Sequence, residues 1–266
     1  MASIQDTVKT PKSGPRIRPV PAVTRAVAIL RLLGRTKEPM NVKSIADALE
    51  LVPSTCLHIL RALTADKLLA FDPASKRYRL GAGMLALARG VLENDHFAHS
   101  VQPALDKLAK TWAVTAIGVE VVDLSQMVVT ALSRSNLPFR LHVDVGSRFP
   151  GLISATGRLV AAFSQYSQQE IKAQFASLRW QQPLSFEDWW QEVETAKNNG
   201  YSFDQGNYIA GITLIAVPVL DAQGHITHTI VAASIVNQLS PDETQTLIQE
   251  LKRHAEQLSR QLFSLE

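Results

Sequence analysis

Asn41 to Leu63 reads NVKSIADALELVPSTCLHILRAL, and two short helices with a tight turn between them can be read from it. Asn41 is a residue type whose side chain caps a helix start by accepting a first-turn N–H. Val42, Ile45, Ala46 and Leu49 then recur at i, i+3, i+4 and i+7, the spacing of one helical face. Glu50 to Val52 leaves room for a turn only. Pro53 and Ser54 suit the opening of a second helix, whose inner face carries Cys56, Ile59, Leu60 and Leu63. Ser54, His58, Arg61 and Ala65 fall on another face. Two such helices, the second with an exposed polar side, form a helix-turn-helix. To read DNA, that second helix must offer small or hydrogen-bonding side chains near its N-terminus. Its positive end also suits phosphates. Ser54, Thr55, His58 and Arg61 meet this demand.

Upstream, a helix is expected from about Val23 to Leu33, with Val23, Ala26, Val27, Leu30 and Leu33 as its apolar stripe. Arg25 near its start joins the candidate DNA contacts. Downstream, Leu68 to Phe71 and Arg77 to Leu80 read as strands around the turn Asp72-Pro73-Ala74-Ser75. Lys76, Arg77 and Arg79 decorate the return strand, a basic wing suited to phosphate contacts. The same helices could pack as a protein-interaction module, and the basic wing argues against that. Charge is divided accordingly. Residues 1–80 hold 14 Lys and Arg against 6 Asp and Glu, a net +8, while the remainder holds 13 against 18, a net −5. A polyanionic partner is therefore expected for the first part alone. Residues 1–19, with Lys9, Lys12, Arg16 and Arg18 among prolines, read as a flexible basic tail, solvated or touching phosphates.

The rest alternates between helical and strand patterns. Ala82 to Asn94 is helical, and Met84, Leu85, Leu87, Ala88, Val91 and Leu92 nearly cover its surface. That much apolar area calls for a partner helix from a second copy, or for packing within the subunit. A helix from about His99 to Trp112 follows. Strands are expected at Thr115 to Val122, Met127 to Leu132, Leu141 to Val145, Tyr201 to Asp204, Thr213 to Leu220 and Thr227 to Ile235. Helices are expected at Thr156 to Phe163, Gln168 to Ala176, from Ser185 to Asn199, and at Pro241 to Phe263. Ser185 and Asp188 form a capping signal, and Gly200 a helix stop. The elements do not follow a strict βαβ order, so the fold class is α+β with a largely antiparallel sheet.

With 266 residues, two domains are the natural division. The 46% hydrophobic and 19% charged residues are ordinary for a globular protein. One cysteine excludes an internal disulfide framework and fits a cytoplasmic setting. No apolar run reaches the roughly 18 to 20 residues of a membrane span, and the N-terminus lacks the apolar core of a signal peptide. No catalytic constellation stands out. Cys56 falls on the core face of its helix. His225 and His228 lie on a turn and strand without zinc-like partners. Gly81 and Gly83 are a fragment of a glycine-rich loop with no Lys-Ser/Thr behind it. Asp204, beside Gly206 and Gly211, has no visible partner acid, base or metal, so a binding role is expected for it. Neither a cofactor nor a metal is expected.

TRAVAILRLL (Thr24 to Leu33), PSTCLHILRAL (Pro53 to Leu63), YRLG (Tyr78 to Gly81), ISATGRLVAAF (Ile153 to Phe163) and GYSFDQGNYIAGITLIAVPVLD (Gly200 to Asp221) together resemble the IclR family of regulators, from about Val20 to Leu262. The resemblance implies a winged helix-turn-helix at 20–81, a linker helix at 82–97 and a GAF- or profilin-like effector-binding domain at 98–266. It also implies dimers, often paired into tetramers, that bind an operator in double-stranded DNA and repress or activate genes of carbon metabolism. Glu50 stands where the family often has Gly, at a cost of roughly 1 kcal/mol if φ there is positive. His58 and Leu57 stand where Arg and His are common, so the operator sequence does not carry over from relatives. By motif match, Ala155 and Thr156 line one wall of the effector pocket, their N–H groups suiting a carboxylate, and Asp204, Ile212 and Leu214 line another. Val231 and Ala233 fall where some relatives place serines for a small polar acid. Their apolar side chains favour a larger organic acid, an aromatic one included, unless both are simply core. Arg134, His142 and Arg148 are candidate charge partners or exposed structural residues. The alternative function is a small-molecule-binding protein or enzyme on the same sensor domain without DNA binding.

Overall fold

The computed structural model describes residues 20–36, 38–135, 141 and 143–263, without the side chain of Leu92. The basic tail and His142 lie outside the described residues. The chain divides between Glu93 and Asn94 into two compact units.

In the first unit, α1 (Pro21–Arg35), α2 (Val42–Ala48) and α3 (Pro53–Ala65) precede a hairpin of β1 (Leu69–Asp72) and β2 (Arg77–Leu80). Asn41 caps α2 by accepting the Ser44 N–H at 2.9 Å. Glu50, in the turn to α3, has φ +52°, the left-handed region disfavoured for residues with a Cβ. Ile45, Cys56, Leu60, Leu63, Leu69 and Tyr78 form the core with Ile29 and Leu33 of α1. This corrects the stripe expected on α1. Ile29 is fully buried at its centre, whereas Val23 and Val27 are 60% and 37% exposed. Ala26, Leu30 and Leu32 flank Ile29 and Leu33 against this core, which leaves the face bearing Val20, Val23 and Val27 outward. Met40 bridges Tyr78 as a short third rung of the wing. The helix α4 (Gly83–Asn94) follows, with Leu85, Leu87 and Val91 exposed.

In the second unit, α5 (His96–Trp112) starts earlier than expected because Asp95 accepts the Ala98 N–H at 2.8 Å and caps it. After it come β3 (Thr115–Asp123), β4 (Gln126–Ser133), β5 (Arg148–Phe149), α6 (Ser154–Phe163), α7 (Gln168–Phe175), α8 (Phe186–Asn199), β6 (Ser202–Gln205), β7 (Ile212–Leu220), β8 (Ile226–Ile235) and α9 (Pro241–Phe263). The described strands form one sheet in the order β5-β4-β3-β8-β7-β6, with every pairing antiparallel. Alternation along the strands separates its faces. Ala116, Ala131, Ile215, Val217, Ile230 and Ala232 pack on α5 and α9. Ile117, Val119, Val129, Leu214, Ala216 and Val231 face the side of α6, α7 and α8. Gly200 ends α8 at φ +68°, which glycine alone adopts without steric cost.

The strand expected at Leu141 to Val145 is not formed among its described residues. Val143 is buried, but the backbone turns at once, with the Ser147 N–H donating to Asp144 O. The edge of β4 is met instead by Gly146 and Ser147, through Gly146 N–H to Val129 O and Val129 N–H to Ser147 O, and then by β5. Among the described residues no helix is long and apolar enough to cross a membrane.

Candidate functional site

On α3, Ser54, His58 and Arg61 are exposed at i, i+4 and i+7 of one face, with Thr55 half-buried beside them. Pro53 occupies the first turn, and Val52, with no capping side chain, precedes it. The start of this helix thus presents N–H groups and small hydroxyl residues together. Cys56, on the opposite face, is buried with its thiol toward Val42 O at 4.0 Å, and burial raises its pKa. It is packing material. Lys76, Arg77 and Arg79 are exposed on the wing, and Arg25 is exposed on α1. Arg77 is partly committed, donating from Nη1 to Pro39 O at 3.0 Å. The Asp72 carboxylate at the wing tip is held below its usual range by hydrogen bonds from the Ser75 hydroxyl and the Ala74 N–H, with Arg79 assisting.

In the second unit a cavity of about 360 Å³ opens on the α6 side of the sheet. Its floor is Ile117 and Val119 from β3, Met127 and Val129 from β4, Ile212 and Leu214 from β7 and Val231 from β8. Leu141, Val143 and Phe149 close one flank, and Tyr208, Ile209 and Ala210 another. Ser154 and Thr156, in the first turn of α6, supply the rest. No described lining residue carries a charge, so hydroxyls are its side-chain hydrogen-bonding groups. Thr156 Oγ1 lies 3.2 Å from Thr229 Oγ1 and is engaged there. The Ser154 and Tyr208 hydroxyls make no hydrogen bond among the described residues. Burial raises the Tyr208 pKa, which keeps the phenol a neutral donor.

Backbone geometry aims these groups. A Cβ on Gly157 would lie 2.0 Å from Leu152 C and O, so only glycine lets the first turn of α6 seat against that carbonyl. Ser154 sits at φ +61°, a strained conformation costing on the order of 1 kcal/mol for a residue with a Cβ. Strain of this kind persists only where neighbouring contacts hold it.

Of the expected effector contacts, Thr156, Ile212, Leu214 and Val231 line the cavity. Ala155 does not: it is fully buried in the core beneath α6. Ala233 points to a smaller neighbouring cleft of about 20 Å³ with Thr115 and Gln238. Asp204 is buried behind the wall, because its carboxylate binds Arg158 Nη1 at 3.2 Å and accepts the N–H groups of Asn207 and Tyr208 at 3.1 and 3.3 Å. Arg134 is likewise engaged, with Asp144 and Val143 O, and exposed Arg148 reaches Gln126. Neither lines the cavity. Among the described residues no group of His, Cys, Asp and Glu is placed to hold a metal ion. Ser154, Met127, Phe149 and Tyr208 are lining residues that sequence reading missed.

A winged helix-turn-helix joined to a sheet domain with an apolar cavity defines a ligand-sensing transcription regulator. The helix-turn-helix model of the IclR family matches residues 22–73, and the model of the bacterial transcriptional regulator IclR C-terminal domain matches residues 89–260. The chain belongs to the IclR family. It is 26% identical over 229 residues to the glycerol operon regulatory protein of Streptomyces griseus, covering 85% of this chain and 89% of that one. The crystal structure of an IclR transcriptional regulator from Alicyclobacillus acidocaldarius superposes with a TM-score of 0.78 at 25% identity, over 91% of this chain and 98% of the other. An IclR homologue from Microbacterium hydrocarbonoxydans, complexed with 4-hydroxybenzoate, has the same fold with a TM-score of 0.73 at 17% identity, over 91% and 98%. These relatives are regulators, and this chain is a DNA-binding transcriptional regulator rather than an enzyme.

Proposed function

We propose that this regulator binds a two-fold-symmetric operator as a dimer and changes its DNA affinity when the cavity takes a partly apolar organic acid, an aromatic carboxylate fitting best. The cavity wall carries this reading: it is apolar on most sides, with no charged side chain among the described lining residues. A two- or three-carbon oxo-acid has no apolar body to set against Val119, Met127, Phe149 and Val231. It would lose water from its polar groups without regaining partners, at roughly 1 to 3 kcal/mol for each group. An aromatic acid fills the apolar part. Its carboxylate meets the Thr156 N–H in the first turn of α6 and the Ser154 hydroxyl. Binding of 4-hydroxybenzoate by a homologue of this fold supports the class of ligand.

On the DNA side, α3 of each copy enters one major groove, with Ser54, Thr55 and His58 nearest the bases. Arg25, Arg61, Lys76, Arg77 and Arg79 serve phosphates. The exposed Leu85, Leu87 and Val91 of α4 pair two copies, and such dimers can pair again into tetramers. The division of labour is then DNA binding by residues 20–81, linkage by 82–97 and sensing by 98–266, with the basic tail 1–19 ahead of them. A DNA partner places the work in the cytoplasm. Calorimetric titration against matched panels of short oxo-acids and aromatic acids tests the sensor, with mobility shift on the DNA flanking the protein's own gene. Tight binding of a short oxo-acid with aromatic acids inert overturns the ligand class, and no shift at any protein concentration overturns the operator.

A further inference from the structure

Arg158, in the second unit, is 1% exposed and bonded on several sides. Its Nε donates to Glu192 Oε2 on α8 at 2.6 Å, and its Nη1 donates to Ser154 O at 2.8 Å and to Asp204 Oδ2 at 3.2 Å. Its carbon centre lies 5.8 Å from the ring of Trp180, within cation–π range. Two of these bonds end directly behind the cavity. Ser154, whose carbonyl it holds, is the cavity-lining residue at φ +61°. Asp204, whose carboxylate it anchors, accepts the Asn207 and Tyr208 N–H groups with its other oxygen. That carboxylate therefore fixes the start of the segment bearing Tyr208, Ile209 and Ala210.

We infer that Arg158 and Asp204 are positioning residues for effector recognition, a clamp that holds the Ser154 and Tyr208 walls of the cavity in a fixed relation. The inference rests on the reading that this cavity is the effector site. Neither residue touches the ligand. A core ion pair that served only to join elements could form between any two of them. This one ends on a strained cavity residue and on the backbone of the cavity's loop. With the clamp in place the loop is ordered before the ligand arrives, and less conformational freedom is lost on binding. Without it, ligand binding has to order the segment from 205 to 211 itself.

The test removes both charges together, because a single deletion leaves the other buried charge unpaired, whereas an apolar pair of similar volume is often tolerated. Full-length Arg158→Met/Asp204→Leu is compared with the parent chain by amide hydrogen exchange and by calorimetry with 4-hydroxybenzoate. Exchange at Asn207 and Tyr208 is expected to quicken at least tenfold with protection along β7 and β8 retained, and the Kd for 4-hydroxybenzoate to rise at least tenfold. Arg158→Lys retains one cation but cannot bridge Ser154 O, Glu192 and Asp204 together. It should show the same local quickening to a smaller extent, and it decides the matter if the double variant does not fold. Unchanged exchange at Asn207 and Tyr208 overturns the clamp. So does a uniform loss of protection across the loop, β7 and β8, which makes the pair a general stabiliser. If the parent chain itself gives no heat with 4-hydroxybenzoate, the aromatic-acid reading fails, and the exchange result still decides the clamp.

Discussion

His228 gives the second unit a pH-dependent stability whose size follows from its surroundings. The ring lies on β8 with its Nδ1 3.0 Å from Thr227 Oγ1, stacked on Phe97 at a centroid distance of 4.0 Å. Burial lowers its pKa from 6.5 to about 4, and Asp95 opposes the shift only in part. The folded-state pKa lies below the unfolded one, so a proton binds the unfolded chain more readily. The stabilisation is complete above pH 6.5 and is lost as the pH falls from there toward 4. The displacement corresponds to about 3 kcal/mol in full, of which about 2 kcal/mol disappears between pH 7.5 and pH 5. In a unit of this size that is a fall of about 4–8 °C in Tm. His228→Phe keeps the stacked ring and removes the titration. Trp112, Trp180, Trp189 and Trp190 all lie in the second unit, so their fluorescence in urea or heat reports this unit. The parent chain should lose about 2 kcal/mol more than His228→Phe over that interval. Contributions from His254, which burial also lowers, and from Glu250 and Asp221 are common to both chains and cancel. Parallel pH profiles for the two proteins would refute the reasoning.

Other residues give further tests. Glu50→Gly relieves the φ of +52° and should stabilise the first unit by about 1 kcal/mol, read from amide exchange in α2 and α3; no slowing there counts against it. Arg79→Ala should weaken operator and random DNA alike and flatten the plot of log K against log salt by about 1 per subunit, whereas an unchanged slope removes the wing from the DNA interface. Arg77→Ala should do the same with some added loosening of the wing, since Arg77 also holds Pro39 O. Leu85→Asp/Val91→Asp should yield monomers in sedimentation and abolish specific DNA binding, because one half-site binds weakly; an intact dimer refutes the role of α4. Val231→Ser places a hydroxyl in the apolar floor and should weaken an aromatic acid by about 1–3 kcal/mol, with equal affinity in calorimetry excluding Val231 from the contact surface.

The helix-turn-helix was legible because its determinants are local. A cap at Asn41, a proline at the start of α3 and a wing turn at Asp72 to Ser75 each act within a few residues, and the spacing between them leaves one arrangement. Phase on α1 was legible only in part: Ala26, Leu30 and Leu33 of the expected stripe meet the core, whereas Val23 and Val27 do not. Val20, Val23 and Val27 offer one apolar stripe and Ala26, Ile29 and Leu33 a second. Periodicity gives both equal standing, and only packing against α3 and β2 selects Ile29. Leu141 to Val145 failed for a related reason. Its alternation of apolar and polar residues is that of a strand, yet the chain turns at Asp144 to Ser147, and β4 takes its edge partners from the residues after the turn.

Thr156, Ile212, Leu214 and Val231 could be placed beside the cavity from motifs, whereas Met127, Phe149 and Tyr208 reach it through sheet register and a loop that no short motif encodes. Asp204 shows the limit most clearly. Beside two glycines it reads as a ligand contact, and its partner stands 46 residues earlier, on α6. One signal pointed there. Arg158 sits in ISATGRLVAAF, an almost wholly apolar helix, and a guanidinium so placed is retained only when paired. An unpaired-looking aspartate and an out-of-place arginine in the same domain are each costly alone and satisfied together. Pairing them on that ground would have moved Asp204 from the cavity surface to the framework behind it, where its carboxylate sets the position of Tyr208.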